Sequence, residues 1–311
     1  ALLQHGYEVI VGGPRTNNDF PYEGCERFEM NDPREAATIA VMRSVDLIVA
    51  HTPPYFSVAR WTGTYPLVVA YDYGEPPCDF FPDANERKKI LVEKDLSLLM
   101  AKAVFAISDA IAAESRTPVK AVIPLGNSHL GRWNEVAEVR REKVRAKLGW
   151  NDYFVILNVC RFHKAERKYK GIDTYVDIIR ELKYIEPELY KKTIIVLCGK
   201  GTSEDVKSMT DLGLVVFSNV TNEEMIDLYC AADAYANFSR WEGYNLGIGQ
   251  ALAMGLPVVA SDIPAHRAFG IQTTDNVIVA TEWLIRIAVD GNERIPRIWS
   301  WDNSLARFVE Y

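Results

Sequence analysis

The sequence predicts an α/β protein built from two doubly wound, Rossmann-like domains. Three observations carry this. Short apolar runs alternate with amphipathic stretches at helical spacing, the pattern of parallel sheets covered on both faces. The chain has 311 residues, room for about two domains at roughly 150 residues each. Near the middle, the stretch Pro124 to Asn134 holds Pro124, Gly126, Asn127, Ser128 and Gly131, lacks periodicity and reads as a linker. Hydrophobic residues make up 48% and charged residues 25%, ordinary globular proportions that exclude a disordered or collagen-like chain. Lys plus Arg number 35 against 42 Asp plus Glu, for a net charge of -7. That sign excludes nucleic acid as the main partner and leaves room for a local basic pocket around a small anion.

The elements follow in order. Ala1 to Gly6 reads as the end of a helix with Gly6 at its C-terminus, and there is no initiator Met. Glu8–Val11 then reads as a strand, so the strand that normally opens a doubly wound domain is expected to be absent from this sequence. Further strands are expected at Leu47–Ala50, Leu67–Ala70, Val104–Ile107 and Ala121–Pro124, with helices at Pro33–Ser44, Asn85–Ala101 and Asp109–Ser115. In the second half the strands are Phe154–Val159, Thr193–Leu197, Leu214–Phe217, Ala234–Ala236 and Val258–Ala260. Helices Gly171–Tyr184, Asn222–Ala232 and Gly247–Met254 lie between them. The tail Ile298–Tyr311 is amphipathic, with Trp299, Trp301, Leu305, Phe308 and Val309, and two Trp at a chain end need something to pack on. The first domain is therefore expected over residues 1–131 and the second over 132–297.

Five cysteines, Cys25, Cys78, Cys160, Cys198 and Cys230, form no CxxC pair. An odd, scattered set argues for reduced thiols and a cytoplasmic setting, and fits small core residues equally. No apolar run reaches the roughly 18 residues needed to span a bilayer, and no signal-peptide pattern is read. Glu138 to Lys147 is partly basic. It offers a peripheral contact at the inner face of a membrane, or simply a solvated helix face.

The most informative run is Ser239 to Pro264, SRWEGYNLGIGQALAMGLPVVASDIP. It reads as strand end, polar loop, helix, turn and buried strand. Glu242 sits in the loop at the strand's C-terminal end, where open α/β sheets bind ligands. Gly243, Asn245 and Gly247 let backbone approach a ligand closely. The N–H groups of Tyr244, Asn245, Leu246 and Gly247 then open a helix, and a helix N-terminus attracts phosphate. Gln250 lies one turn into that helix, so it and Glu242 can flank one bound molecule. The plain alternative is a turn with a capping Glu.

A second patch, Asn158 to Gly171, follows one strand and precedes a helix. It carries Arg161, His163, Lys164, Arg167, Lys168 and Lys170 in an acidic protein. Arg binds a diphosphate bidentately and Lys as a point charge; the alternative is a solvated basic loop. Gly199 and Lys200 close another strand, beside the same ligand or as a tight turn only. In the first half, His51 and Tyr71-Asp72 end strands, facing any cleft between the domains, and a structural hydrogen-bonding role competes with a catalytic one. There is no HExxH, GxSxG, Walker A loop or zinc spacing, and no Asp-x-Asp at a strand end, so neither a metal nor a cofactor is expected.

These residues resemble the C-terminal signature of retaining glycosyltransferases of the GT-B fold, the large family four (glycosyl transferases group 1). The run from Ser239 resembles its Glu-Gly-aromatic-Gly-Leu, Glu-Ala-Met-Ala and Pro-Val-Val-Ala-Ser pattern, reading Glu-Gly-Tyr-Asn-Leu, Gln-Ala-Leu-Ala and Pro-Val-Val-Ala-Ser here. Phe154–Arg161 resembles the family's strand ending in Gly-Arg, Lys170-Gly171 its Lys-Gly, and Leu197–Gly201 its Gly-x-Gly turn. Ala103–Ser108, Ile123–Trp133 and Trp299–Tyr311 resemble further family segments. The resemblance implies two Rossmann-like domains facing a cleft, with helix 298–311 crossing back to the first. It implies a nucleotide-sugar donor, such as a UDP- or GDP-sugar, in the second domain. Glu242 would bond the sugar hydroxyls, position 250 the ribose, and Arg161 with Lys170 the diphosphate. Three departures stand out. Position 250 is Gln where the family carries an acid. The Arg-to-Lys spacing is longer, which makes Lys164 or Lys168 an alternative to Lys170. Tyr71 replaces a usual His.

The implied reaction is a metal-independent transfer to a hydroxyl of a glycan, a lipid-linked or a small-molecule acceptor, with retention. Charge builds on the leaving nucleoside diphosphate, and Arg161, a loop Lys and the helix start stabilise it. Glu242 positions the sugar. Two rivals are a non-catalytic GT-B nucleotide-sugar-binding subunit, motivated by Gln250, and another GT-B enzyme such as a nucleotide-sugar epimerase. A dinucleotide-dependent oxidoreductase lacks its GxGxxG.

Overall fold

The computed structural model describes residues 1–14, 23–131, 137–291 and 293–310. The chain divides into two compact units. Unit 1 is Ala1–Asp79, Asp83–Gly126 and Trp301–Tyr311, and unit 2 is Phe80–Pro82 and Asn127–Ser300.

Unit 1 holds two parallel sheets where one was expected. β1 (Ile10–Gly13) pairs β2 (Glu26–Glu29), while β3 (Leu47–Ala50), β4 (Leu67–Asp72), β5 (Ala103–Ala106) and β6 (Ala121–Val122) form the second sheet in that order. Strand β2 escapes the apolar pattern because Glu-Arg-Phe-Glu leaves only Phe28 half-buried. Helices α1 (Pro33–Met42), α2 (Ala59–Thr62), α3 (Ala84–Leu98) and α4 (Asp109–Glu114) accompany them. The Asp32 carboxylate accepts from the Arg34 and Glu35 N–H groups, and Asp83 and Ser108 start α3 and α4 in the same way. The C-terminal helix runs over Trp301–Val309, shorter than expected, and Tyr311 lies outside the described residues. It packs Phe308 against Phe105, with ring centroids 5.2 Å apart, and its Ser304 hydroxyl donates to the Pro124 carbonyl at 2.6 Å.

Unit 2 has one five-stranded parallel sheet. Its elements are α5 (Ala137–Leu148), β7 (Phe154–Val159), α6 (Ile172–Ile185), α7 (Pro187–Lys191), β8 (Thr193–Gly199), α8 (Ser203–Asp211), β9 (Val215–Ser218), α9 (Asn222–Ala231), β10 (Ala234–Asn237), α10 (Leu246–Ala253), β11 (Val258–Ala260), α11 (Pro264–Arg267) and α12 (Val277–Asp290). The strand order is β11-β10-β7-β8-β9. Alternate residues feed two buried clusters on opposite faces: Val155, Leu157, Val196 and Tyr235 on one, and Ile156, Ile195, Leu197 and Ala236 on the other. Burial on both faces is why these strands read as unbroken apolar runs. Helix α6 buries Ile172, Tyr175, Ile178 and Leu182 along one stripe, each such aliphatic side chain contributing roughly 1.5–3 kcal/mol. Helix α12 was not expected. Its run of Val and Ile favours strands intrinsically, and Asn276 overrides this by accepting from the Ile278 and Val279 N–H groups.

Two expected surface segments are held in place. At the linker, Asn127 and Ser128 donate their N–H groups to the Trp299 carbonyl, and the Asn127 amide bonds the Gly249 and Arg297 carbonyls. The boundary expected at 131/132 runs into residues 132–136, which lie outside the described residues. Helix α5 does not present its arginines to solvent or to a surface. Arg140 bonds Asp227 and Glu223, Arg141 and Arg145 both engage Asp233, and Arg145 is buried. Lys143 and Lys147 remain exposed.

Candidate active site

The sheet order creates the site. From β7 the chain winds one way to β8 and β9, then returns to the other side of β7 for β10 and β11. Loops leaving the C-terminal ends of β7 and β10 therefore flank the switch point of the sheet, the place where open α/β sheets bind ligands. Both candidate patches leave these two strand ends.

The loop after β7 must turn sharply against β10. Gly171 has φ +60°, and a Cβ there would come within 1.9 Å of the Phe238 carbonyl oxygen, so only Gly fits. Within the loop the cations divide. The Arg167 guanidinium donates to the Phe162 carbonyl, the Ser208 hydroxyl and the Asp205 carboxylate, while His163 also faces Asp205. These two pin the loop to α8 and are structural. The Asp205 carboxyl is held down at about 2, first by the Thr202 backbone N–H it accepts and then by the Thr202 hydroxyl, His163 and Arg167. Lys164 and Lys168 are exposed, Lys168 with its ammonium 5.9 Å from the Phe80 ring centre. Arg161 is 62% exposed and bonds Glu166 at 2.9 Å; Glu166 also accepts from the Tyr169 hydroxyl at 2.7 Å. Lys170 turns inward and meets Glu242 at 2.7 Å, with both side chains only 12% exposed. Lys170 is thus the loop cation beside the carboxylate; Lys164 and Lys168 are not.

The loop after β10 supplies the acid and the helix start. The Ser239 hydroxyl donates to Glu242 Oε1 at 2.6 Å, the same oxygen that Lys170 holds. Asn245 is the N-cap of α10, in left-handed backbone at φ 68°, and its side-chain oxygen accepts from the Ile248 N–H at 3.1 Å. Gly247 is buried, and a Cβ there would lie 2.1 Å from the Tyr235 hydroxyl, so this glycine lets the helix start lie against the end of β7. Gly243 is buried and Leu246 is exposed. The Tyr244 ring packs 5.0 Å from Phe269, and burial pushes its hydroxyl up to about 12. Gln250 accepts from the Tyr229 hydroxyl at 2.9 Å. At the end of β8, a Cβ on Gly199 would lie 1.7 Å from the Cys160 carbonyl oxygen, so the tight-turn reading accounts for this glycine. Lys200 is exposed, and its carbonyl accepts from the Phe162 N–H at 3.0 Å. A cavity of about 370 Å³, lined by Phe238, Arg240, Ser261, Thr274 and Asn276 among others, includes none of the expected site residues.

In unit 1, the exposed His51 bonds the Tyr73 hydroxyl through Nδ1 at 2.9 Å, and its ring lies 5.6 Å from Tyr71. Tyr71 is buried and donates its hydroxyl to the Ile123 carbonyl. Asp72, expected to face an open edge, is 1% exposed. Its Oδ1 takes Lys94 Nζ at 2.7 Å and the Gly74 N–H at 2.7 Å, so the carboxylate is neutralised internally. A catalytic role for Asp72 is withdrawn on that ground. Among the described residues no group of His, Cys, Asp and Glu is arranged to hold a metal ion, and no helix is long and apolar enough to cross a membrane.

Sequence reasoning missed Ser239, Glu166, Tyr229 and His266. Two of these had a visible signal: Ser239 opens the informative run, and His266 lies two residues after Pro264 at its end.

Residues 153–286 match the family model described as Glycosyl transferases group 1. That stretch, less than half of the chain and within unit 2, is where the sequence resembles the glycosyltransferases of this group. Among solved structures, the chain is similar to sucrose-phosphate synthase from Thermosynechococcus elongatus, at TM-score 0.74 and 16% identity over 99% of this chain and 89% of that one. It is similar to Anabaena HepE in complex with UDP-glucose, at TM-score 0.66 and 19% identity over 90% and 82%. It is also similar to a UDP-forming α,α-trehalose-phosphate synthase from Burkholderia xenovorans in complex with glucose-6-phosphate, at TM-score 0.63 and 12% identity over 89% and 73%. The fold is the GT-B α/β fold of these proteins. No curated protein matches the chain.

Proposed function

We propose that this chain is a retaining, metal-independent hexosyltransferase that moves a sugar from a nucleoside diphosphate sugar to an acceptor hydroxyl. The carrying observation is the bond between Lys170, leaving β7, and Glu242, leaving β10, across the switch point of the sheet. It puts a cation and a carboxylate side by side at the switch point, just before the start of α10. Glu242 meets Lys170 and Ser239 through Oε1, which leaves Oε2 for the hydroxyls of the sugar. Arg161, Lys170 and the amides opening α10 take up charge on the leaving diphosphate. In the proposed step the bond from the anomeric carbon to the phosphate oxygen breaks. The acceptor oxygen bonds that carbon on the same face, and its proton passes to the departing phosphate. The Anabaena neighbour's UDP-glucose supports a uridine donor, and the Burkholderia neighbour's glucose-6-phosphate supports a sugar-phosphate acceptor. The setting proposed is cytoplasmic, on the scattered, odd number of cysteines.

The test is substitution with product analysis. Glu242→Ala abolishes transfer, and Arg161→Ala weakens nucleotide-sugar binding, both followed by release of nucleoside diphosphate. Wild-type rates in both variants defeat the assignment. One observation favours a second reading, a nucleotide-sugar-binding subunit without turnover: Gln250 replaces an acid and its oxygen is already engaged by Tyr229. Saturable binding with no release of diphosphate selects that reading.

A further inference from the structure

Buried bonds tie both ends of the 239–245 loop to the segment that follows β11. At one end, Ser239 donates its hydroxyl to Glu242, and its carbonyl accepts from the Ser261 hydroxyl. At the other, the Asn245 side-chain nitrogen lies 2.8 Å from His266 Nε2, while His266 Nδ1 lies 3.0 Å from the Ser261 carbonyl and 3.2 Å from its hydroxyl. Ser239 and His266 are fully buried, and Ser261 and Asn245 nearly so.

Counting hydrogens assigns every role. The Asn245 oxygen accepts the Ile248 N–H that starts α10, so its nitrogen is the end facing His266, and a nitrogen of an amide can only donate. His266 Nε2 must therefore accept, which makes the ring neutral. Its proton is then on Nδ1, where the Ser261 carbonyl and hydroxyl oxygens receive it. The Ser261 hydroxyl, with its own hydrogen on the Ser239 carbonyl, is free to accept there.

We infer that His266, as the neutral Nδ1–H tautomer, is a positioning residue that holds Asn245, and through Ser261 and Ser239 also Glu242, in place for a bound nucleoside diphosphate sugar. This rests on the donor-site reading of Glu242 and α10 given above. Burial lowers the pKa of His266, as the tautomer requires; Glu242 and Asp275 oppose that shift and Lys170 reinforces it. Protonation would set an Nε2–H against the Asn245 N–H, two donors face to face. The cap could then persist only by turning its oxygen away from Ile248.

The experiment uses the full chain and titration calorimetry with UDP, GDP and UDP-glucose. His266→Phe keeps ring volume and loses both bonds; His266→Gln places a carbonyl oxygen near the Nε2 position and cannot titrate. His266→Phe is expected to weaken nucleoside diphosphate binding at least about tenfold, with His266→Gln within about threefold of wild type. Amide exchange over Leu246–Gln250 speeds up in His266→Phe and not in His266→Gln, and ring nitrogen NMR reports the Nδ1–H form. Ser261→Ala, a milder change, loses about threefold and covers the case in which the Phe variant does not fold. Wild-type binding and exchange in His266→Phe, or an Nε2–H tautomer, overturns the assignment. If the wild type binds neither UDP nor GDP, the donor-site reading fails instead, and exchange and tautomer alone still decide the hold of His266 on α10.

Discussion

Asp72 ends β4 and Glu242 lies in the loop after β10, each bonded to a lysine at 2.7 Å, yet their surroundings differ. Glu242 keeps 12% of its side chain exposed, whereas Asp72 keeps 1%. Strand position foretold the edge on which each would sit; it carried no information about the turn of the side chain, which packing decides. Lys94 lies on α3, and nothing in the local sequence of Asp72 announces it. Removing one partner of so buried a pair leaves an uncompensated charge. Lys94→Met should therefore destabilise unit 1 by about 3 kcal/mol, and Asp72→Asn combined with Lys94→Met should recover most of that loss. Urea unfolding of the two variants checks both values. A single variant as stable as the double would show that the pair is dispensable.

At the scale of elements, caps and clamps decide the borders. The Thr202 hydroxyl accepts from the Asp205 N–H, and Asp205 accepts back from the Thr202 N–H, a reciprocal box at the start of α8 that also receives His163 and Arg167 from the loop after β7. Because the Asp205 carboxyl is held at about 2 in the folded chain, against 3.8 ordinarily, its stabilisation is complete above about pH 4 and fades as the pH falls towards 2. Thr202→Val should cost about 1 kcal/mol at neutral pH and flatten that acid limb, which urea midpoints measured through the range will register. Asp233 is a second junction. It takes Arg141, Arg145 and the Val155 N–H, joining α5 to the start of β7. Asp233→Ala should lower stability by about 3 kcal/mol in the same assay, since it strands buried Arg145 without its carboxylate. The charge pattern of α5 was legible as a helix; that its arginines point into the molecule was not, because their partners lie on α9 and at the start of β10.

For the whole molecule, the alternation of apolar runs and helices was enough to place β3, β7 and β11 to the residue, and the loops after β7 and β10 where the candidate site lies. The split of unit 1 into two sheets was not legible, because the pattern marks a strand and leaves its neighbour open. A ligand that binds the folded chain raises its stability by mass action. UDP at about 100 times its Kd should therefore add about 2.7 kcal/mol, seen as a higher Tm, and Arg161→Ala should need more UDP for the same rise. An unmoved Tm across UDP and GDP would speak against the donor site. Three of the tight glycines carry a last consequence. Gly171, Gly199 and Gly247 each have another group closer than a methyl could stand. A library screened for folding alone will already purge every replacement at these positions, so their intolerance marks assembly and says nothing of chemistry. Arg161, with 62% of its side chain in water, will vary freely in such a library and narrow only when turnover is selected.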